Sequence, residues 1–123
     1  MKYILDTHIL LWWLNDDKKL DSNKKKIIAN PNNLIFISAV NIWEIEIKKA
    51  LGKLVIPESY IKTCIETQFT ELPITISHIS YLAKLDNHHN DPFDRLLICQ
   101  SLAENCILIT EDKILKNYNI HCL

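Results

Sequence analysis

The chain has 123 residues, of which 48% are hydrophobic and 24% charged, a composition typical of a folded globular domain. Its single glycine excludes a P-loop and a GxGxxG dinucleotide turn, because each of these needs several glycines. With 14 basic and 15 acidic residues the net charge is −1, so bulk positive charge cannot be what holds a nucleic acid. We expect one domain covering residues 1–123.

Cysteine usage and the lack of a long apolar run predict a reduced, cytoplasmic protein with no membrane partner. The 4 cysteines form no CxxC pair and no Cys-His cluster with zinc spacing. The longest apolar run, Ile9–Leu14, is too short to span a bilayer. The acid at position 6, Asp6, interrupts the apolar run that a signal peptide needs, so we do not expect a signal peptide at the start of the chain.

Unalternating apolar runs predict strands covered on both faces, as in a parallel sheet. In chain order they are Tyr3–Leu5, Leu34–Ile37, Cys106–Ile109 and, with a weaker pattern, Asn119–Leu123. The helical patterns between them are Ile9–Asn15, Asn23–Ala29, Ala39–Leu51, Glu58–Thr67, Ser77–Leu85, Phe93–Glu104 and Asp112–Lys116. This alternation predicts an α/β domain with a mostly parallel sheet, in which ligands bind beyond the carboxyl ends of the strands.

Acids and hydroxyls follow three of the predicted strands. Asp6 ends the first strand, Ser38 the second, and Thr110 the strand Cys106–Ile109, with Asp112 two residues further on. Helix capping explains each of Asp6, Ser38 and Thr110 taken singly, because each precedes a helical pattern. Together they predict a polar site at one edge of the sheet.

Glu44 is harder to explain as a surface residue. In the predicted helix Ala39–Leu51 it lies within an apolar stripe that we expect to be buried. A buried carboxylate is costly unless it is paired, protonated or bound to a metal. A lysine partner remains an alternative to a metal. The stripe consists of Val40, Trp43, Ile47 and Leu51.

The segment Asp91-Pro92-Phe93-Asp94 predicts a helix start. Asp91 suits the N-cap before a proline in the first turn, and we assign it mainly to capping. Asp94 could serve the first turn of the helix, or it could face the other acids, since the helix that follows is apolar on nearly every side.

The acids predicted to meet at this edge indicate a metal site. Two like charges about 5 Å apart repel by roughly 3 kcal/mol at an effective dielectric constant of about 20. Oxygen ligands without a convergent His or Cys favour Mg²⁺ or Mn²⁺ over Zn²⁺. Such a site is suited to phosphodiester hydrolysis. The four acids are Asp6, Glu44, Asp94 and Asp112.

Three blocks of sequence resemble the successive motifs of PIN-domain ribonucleases, in particular the VapC-type toxins of bacterial toxin–antitoxin pairs. The blocks are LDTHILLWWL, SAVNIWEIEIKKALGKL and HHNDPFDRLLICQSLAENCILITED. The resemblance covers essentially residues 1–123. It implies a three-layer α/β/α sandwich with a central, mainly parallel sheet, Mg²⁺- or Mn²⁺-dependent endoribonuclease activity on RNA, and inhibition by a cognate antitoxin.

Residue by residue, the resemblance implies metal-binding and catalytic roles for Asp6, Glu44, Asp94 and Asp112. Ser38 and Thr110 match hydroxyl residues that support the site, and Asp91 matches a position usual only in the branch that carries DPFDR. Many relatives have Thr-Arg-Asp where this chain has Thr110-Glu111-Asp112, which reverses a charge beside the site. Lys48 and Lys113 are candidates for contacts with the RNA.

Two further interpretations concern partners and activity. Trp12 and Trp13 lie about 100° apart on a helix, so one is expected in the core and the other at a homodimer interface or an antitoxin groove. The alternative function is a catalytically silent acidic-pocket module, either receiver-like or serving only to bind the antitoxin. The receiver-like form is disfavoured because Ser38, not an acid, ends the second strand.

Overall fold

A parallel sheet lies at the centre of the protein. The computed structural model describes residues 1–88, 90–118 and 120–123. In this part of the chain four strands pair side by side, all parallel, in the order β3-β2-β1-β4. They are β1 (Lys2–Leu5), β2 (Leu34–Ser38), β3 (Thr70–Leu72) and β4 (Ile107–Ile109). The α-helices are α1 (Thr7–Leu14), α2 (Ser22–Ala29), α3 (Ala39–Ala50), α4 (Tyr60–Glu66), α5 (Ile76–Ser80) and α6 (Pro92–Glu104).

Helices cover both faces of the sheet. Side chains alternate along a strand, so Tyr3 and Leu5 of β1 join an apolar cluster with α1, α2 and α4, whereas Ile4 joins a second cluster built largely by α6. Burial on both faces is the reason that the strands are apolar without alternation. The predicted three-layer α/β/α sandwich with a mainly parallel sheet is confirmed.

Several predicted elements differ from the observed ones. The edge strand β3 was not predicted, and the helix predicted over Asp112–Lys116 is wrong, since a 3₁₀ turn over Leu115–Asn117 takes its place. The pattern over Ser77–Leu85 divides into α5 and a 3₁₀ helix, Tyr81–Lys84. Of the strand predicted over Asn119–Leu123, Asn119 lies outside the described residues, and Cys122 forms an isolated parallel bridge with Leu108.

The two adjacent tryptophans of α1 are buried to a similar, partial extent. Trp12 and Trp13 are both half-buried and pack against the same apolar cluster, so neither is the fully buried core ring that we expected, and the interface role stays a prediction. Trp13 contacts Phe69 with ring centroids 6.0 Å apart. Neither ring is therefore a fully exposed docking residue.

The order of the strands fixes where a site can form. The chain adds β2 and β3 on one side of β1 and then returns to place β4 on the other side. The crevice beyond the carboxyl ends of β1 and β4 is thus the point where the winding reverses, which is where ligands bind in open parallel sheets. In the described part of the chain, no helix is both long and apolar enough to cross a membrane.

Candidate functional site

Asp6 stands at the carboxyl end of β1, inside this crevice. Its residue is 3% exposed, its backbone N–H donates to the carbonyl of Ile109 at 3.0 Å, and its Oδ2 accepts from the Thr110 hydroxyl at 2.7 Å. The side chain makes no capping hydrogen bond to α1, although Asp6 occupies the N-cap position. Burial raises the pKa of Asp6, although the hydrogen bond from Thr110 partly offsets this effect. The capping alternative therefore does not account for this carboxylate.

Glu44 projects from α3 and is 2% exposed. Lys48, one turn later, donates to Glu44 Oε2 at 2.6 Å, so the lysine partner that the sequence left open is present. Within the described residues, the other oxygen, Glu44 Oε1, is buried with no hydrogen-bond partner. A buried carboxylate oxygen without a donor is costly, which leaves room for one more positive ligand.

The buried face of α3 is not the predicted apolar stripe. Trp43 is 50% and Leu51 63% exposed, whereas Val40, Asn41, Glu44 and Ile45 are buried. Periodicity finds apolar residues but does not say which side of the helix meets the sheet. Glu44 is buried as predicted, and so is Val40 of the stripe, but the predicted burial of Trp43 and Leu51 is wrong.

Asp91 and Asp94 open α6. Asp91 Oδ1 accepts from the backbone N–H groups of Phe93 at 2.8 Å and Asp94 at 3.1 Å, which is the N-cap geometry that we expected. Burial, followed by the charges of the four surrounding acids, raises the pKa of Asp94 to about 8. Those acids, in falling order of effect, are Asp6, Asp91, Glu44 and Asp112.

The segment after β4 connects two of these acids. The buried Thr110 hydroxyl donates to Asp6 and accepts from the Asp112 backbone N–H at 2.9 Å. Asp112 Oδ1 in turn accepts from the Ile114 N–H at 2.8 Å, which shapes the turn that replaces the predicted helix. Glu111, between them, forms an ion pair with the side chain of Lys24 in α2.

The lysines predicted to contact substrate occupy different settings. The hydrogen bond to Glu44 is the main reason that the pKa of Lys48 is raised, and the charges of Asp91 and Asp94 add to it. Lys48 therefore lies beside the acids. Lys113 is exposed in the turn that follows Asp112.

Three buried polar residues that sequence reasoning did not identify support the site. Asn41 accepts from the Ser38 N–H at 2.8 Å and donates to the Leu5 carbonyl and the Thr7 hydroxyl, each at 3.0 Å, so it ties α3 to the end of β1. Ser38 caps α3 through the Val40 N–H and donates to Gln100 of α6. The Gln100 side chain also contacts His78 Nδ1, and His78 Nε2 contacts Glu104 at 2.8 Å. Asn41 follows the cap residue Ser38 by three positions, which is the spacing of a capping box, and this spacing could have identified Asn41 from the sequence.

The donor set fits a divalent cation that prefers oxygen. Among the described residues, no three Asp, Glu, His or Cys side chains form a ready-made metal-binding group. Two features still favour uptake of a cation. Glu44 Oε1 has no hydrogen-bond partner among the described residues, and burial, followed by the charges of the nearby acids, raises the pKa of Asp94 to about 8. The crevice is thus short of positive charge, and the oxygen ligands of Asp6, Glu44 and Asp94 suit Mg²⁺ or Mn²⁺.

Comparisons with known proteins agree with the fold. A family model described as PIN domain matches residues 3–120, so the chain belongs to the PIN domain family. No curated protein sequence gives a significant match. Membership of this family supports a nuclease.

The fold is similar to chains in three crystal structures of VapBC proteins. They are VapBC2 from Rickettsia felis bound to a DNA fragment from their promoter (18% identity, TM-score 0.76), VapBC-1 from nontypeable Haemophilus influenzae (20%, 0.70) and DNA-bound VapBC from Salmonella typhimurium (12%, 0.73). Each comparison covers 100% of this chain and 98%, 97% and 97% of the respective matched chain. At these identities the likeness shows the shared fold.

Proposed function

We propose that this chain is a single PIN domain that hydrolyses RNA phosphodiester bonds with Mg²⁺ or Mn²⁺, as the toxin of a toxin–antitoxin pair in the cytoplasm. The observation that carries the proposal is the acid cluster around Asp94. Burial, followed by the charges of nearby acids that include Asp6, Glu44 and Asp112, raises the pKa of its carboxyl at this edge of the sheet. A buried oxygen of Glu44 has no hydrogen-bond partner among the described residues.

Each residue has a distinct role in this proposal. Asp6, Glu44 and Asp94 hold the cation, and Asp112 acts as an outer ligand. When bound, the ion supplies Lewis-acid stabilisation for the charge that develops on a phosphodiester during hydrolysis. Thr110 fixes the carboxylate of Asp6 by its hydrogen bond.

Other residues shape the surroundings of the acids. Ser38 caps the helix that carries Glu44, and Asp91 caps the helix that carries Asp94. Lys48 pairs with Glu44 Oε2 and lies beside the acids, which makes it a candidate for contact with a substrate phosphate. Lys113, exposed beyond Asp112, is a second candidate for phosphate contact.

The proposed partners are an RNA substrate, a cognate antitoxin and a second copy of the chain. The VapBC structures with a similar fold support the antitoxin. An apolar cavity of about 500 Å³ between α3 and α4 supplies a surface that such a protein could cover. The homodimer rests on the sequence alone.

The second candidate is a chain that binds the antitoxin but does not cut RNA. The lack of a ready-made metal group among the described residues favours it. Growth separates the two: expression of the wild-type chain should arrest growth if it cuts RNA, whereas Asp6→Asn should not. Equal growth under both would favour the silent module.

The direct test is cleavage of a labelled single-stranded RNA by purified protein free of antitoxin. We expect cuts with Mg²⁺ or Mn²⁺ that disappear in EDTA and in Asp6→Asn. Asp16→Asn is the matched control, because Asp16 is exposed and pairs only with the surface residue Lys25 among the described side chains. Equal cutting by wild-type and Asp6→Asn protein would show contamination and refute the proposal.

A further inference from the structure

An aromatic pair lies on the two helices that carry Glu44 and Asp94. The rings of Trp43 in α3 and Phe93 in α6 meet nearly edge to face, with centroids 4.9 Å apart and planes at 81°. Trp43 is nevertheless 50% exposed. The contact with Phe93 limits the rotamers of the indole ring, so it presents a large apolar surface to solvent in a fixed orientation.

We propose that Trp43, braced by Phe93, is a stacking site for an unpaired nucleobase next to the nucleotide that is cut; this rests on the proposed function. The first argument is position. Trp43 directly precedes Glu44, and Phe93 directly precedes Asp94, so the rings join the two helices that bring these carboxylates to the crevice. In this proposal the phosphate binds at the acids, and the base of the adjoining nucleotide stacks on Trp43.

The second argument is charge. The chain carries a net charge of −1, and Lys48, the lysine beside the acids, is paired with Glu44. Neutralisation of phosphates therefore gives this protein little affinity for RNA. Stacking on an aromatic ring does not depend on net charge and accepts every base, and one such contact changes affinity by about 5- to 150-fold.

Trp43 also lines the apolar cavity between α3 and α4, together with Ile42, Ile61 and Ile65. A protein partner is thus the competing occupant for the ring. Phe93 is not part of that lining. Phe93 lies in the helix that carries Asp94, so the Trp43 ring also contacts a helix of the acid cluster, and this favours a base as its occupant.

The test compares Trp43→Ala with Trp43→Phe, which retains a ring. Affinity is measured for a short single-stranded RNA and for versions in which one nucleotide at a time lacks its base, with Ca²⁺ replacing Mg²⁺ and a gel verifying that the RNA stays intact. Leu51→Ala, at the C-cap of the same helix and 63% exposed, controls for loss of an exposed apolar side chain. Thermal unfolding verifies that each variant is folded.

We expect Trp43→Ala to weaken binding of the complete RNA by about 5- to 150-fold, and Trp43→Phe to retain most of the affinity. Removal of one particular base should cost the wild-type protein the same factor and cost Trp43→Ala nothing. Unchanged affinity in Trp43→Ala, or equal losses on every base-deleted RNA, would overturn the proposal. So would a change in sedimentation of Trp43→Ala without a change in RNA affinity, since this assigns the ring to a protein interface.

Cleavage with Mg²⁺ is measured separately on the complete RNA, which keeps the two proposals distinguishable. A protein that cuts RNA but shows no base-dependent effect of Trp43 retains its proposed function and loses the stacking site. A protein that shows the base-dependent effect but cuts nothing retains the stacking site and loses the nuclease activity.

Discussion

Binding of a divalent cation at Asp94 should release a measurable number of protons. The pKa of Asp94 is about 8 because the carboxyl is buried among other acids. A group with that pKa is about nine-tenths protonated at pH 7 and about one-tenth protonated at pH 9. A divalent cation that takes the Asp94 carboxylate must displace this proton. Binding should therefore release about 0.9 proton from Asp94 at pH 7 and about 0.1 at pH 9.

Calorimetric titration of Mg²⁺ in buffers of different ionisation enthalpy measures the number of protons released. Wild-type protein should release about 0.9 proton more than Asp94→Asn at pH 7, and the difference should nearly vanish at pH 9. Asp16→Asn, which changes an exposed acid, should behave as the wild type. Equal release by wild-type and Asp94→Asn protein at pH 7 would refute the argument that acids crowd this carboxyl.

The raised pKa of Asp94 also predicts how the stability of the metal-free protein changes with pH. The folded state keeps the Asp94 proton up to about pH 8, whereas an unperturbed carboxyl, with a pKa of 3.8, loses it much earlier. The folded state thus binds more protons in this window, so stability should fall as the pH rises through it. Asp94→Asn should flatten that fall in thermal unfolding measured in EDTA.

Two further predictions concern ion pairs near the acids. Lys24→Glu should lower the free energy of unfolding by about 1–3 kcal/mol in urea denaturation. Adding Glu111→Lys should restore only part of this loss, because Asp21, the other partner of Lys24, then faces a glutamate; no recovery in the double variant would contradict the pairing with Glu111. Lys25→Glu, which breaks an exposed pair, should cost less than about 1 kcal/mol. Lys48→Met should lower the free energy of unfolding in EDTA by about 1–3 kcal/mol, because it leaves Glu44 buried without the lysine that pairs with it. Mg²⁺ should then recover more stability in the variant than in the wild type. Equal stability of the two proteins in EDTA would show that Glu44 is not a buried charge.

The sequence was informative where a residue's role follows from its local position. Asp6 and Thr110 end parallel strands, and such ends share one edge of a sheet, so their proximity could be predicted without coordinates. Asp91 precedes a proline at a helix start, which identifies a cap. Each of these predictions depends on a few neighbouring residues.

The sequence was less informative where long-range contacts decide the outcome. The strand Thr70–Leu72 has three residues and only one apolar side chain, so no periodic pattern identifies it. Trp43 and Leu51 looked like core residues, yet the helix turns Asn41 and Glu44 inward. There Asn41 donates to the Leu5 carbonyl of β1, and Lys48 donates to one oxygen of Glu44. Gln100 meets Ser38 across 62 residues, a pairing that no spacing rule could predict.

The central claim is that Asp6, Glu44 and Asp94 hold a divalent cation in the crevice beyond β1 and β4. Anomalous diffraction from crystals grown with Mn²⁺ tests it most directly, because the metal's own signal locates the ion. We expect a peak in direct contact with carboxylate oxygens of these residues, and its loss in Glu44→Gln but not in Asp16→Asn. A crevice without a peak at saturating Mn²⁺, or a peak held by other residues, would contradict the account.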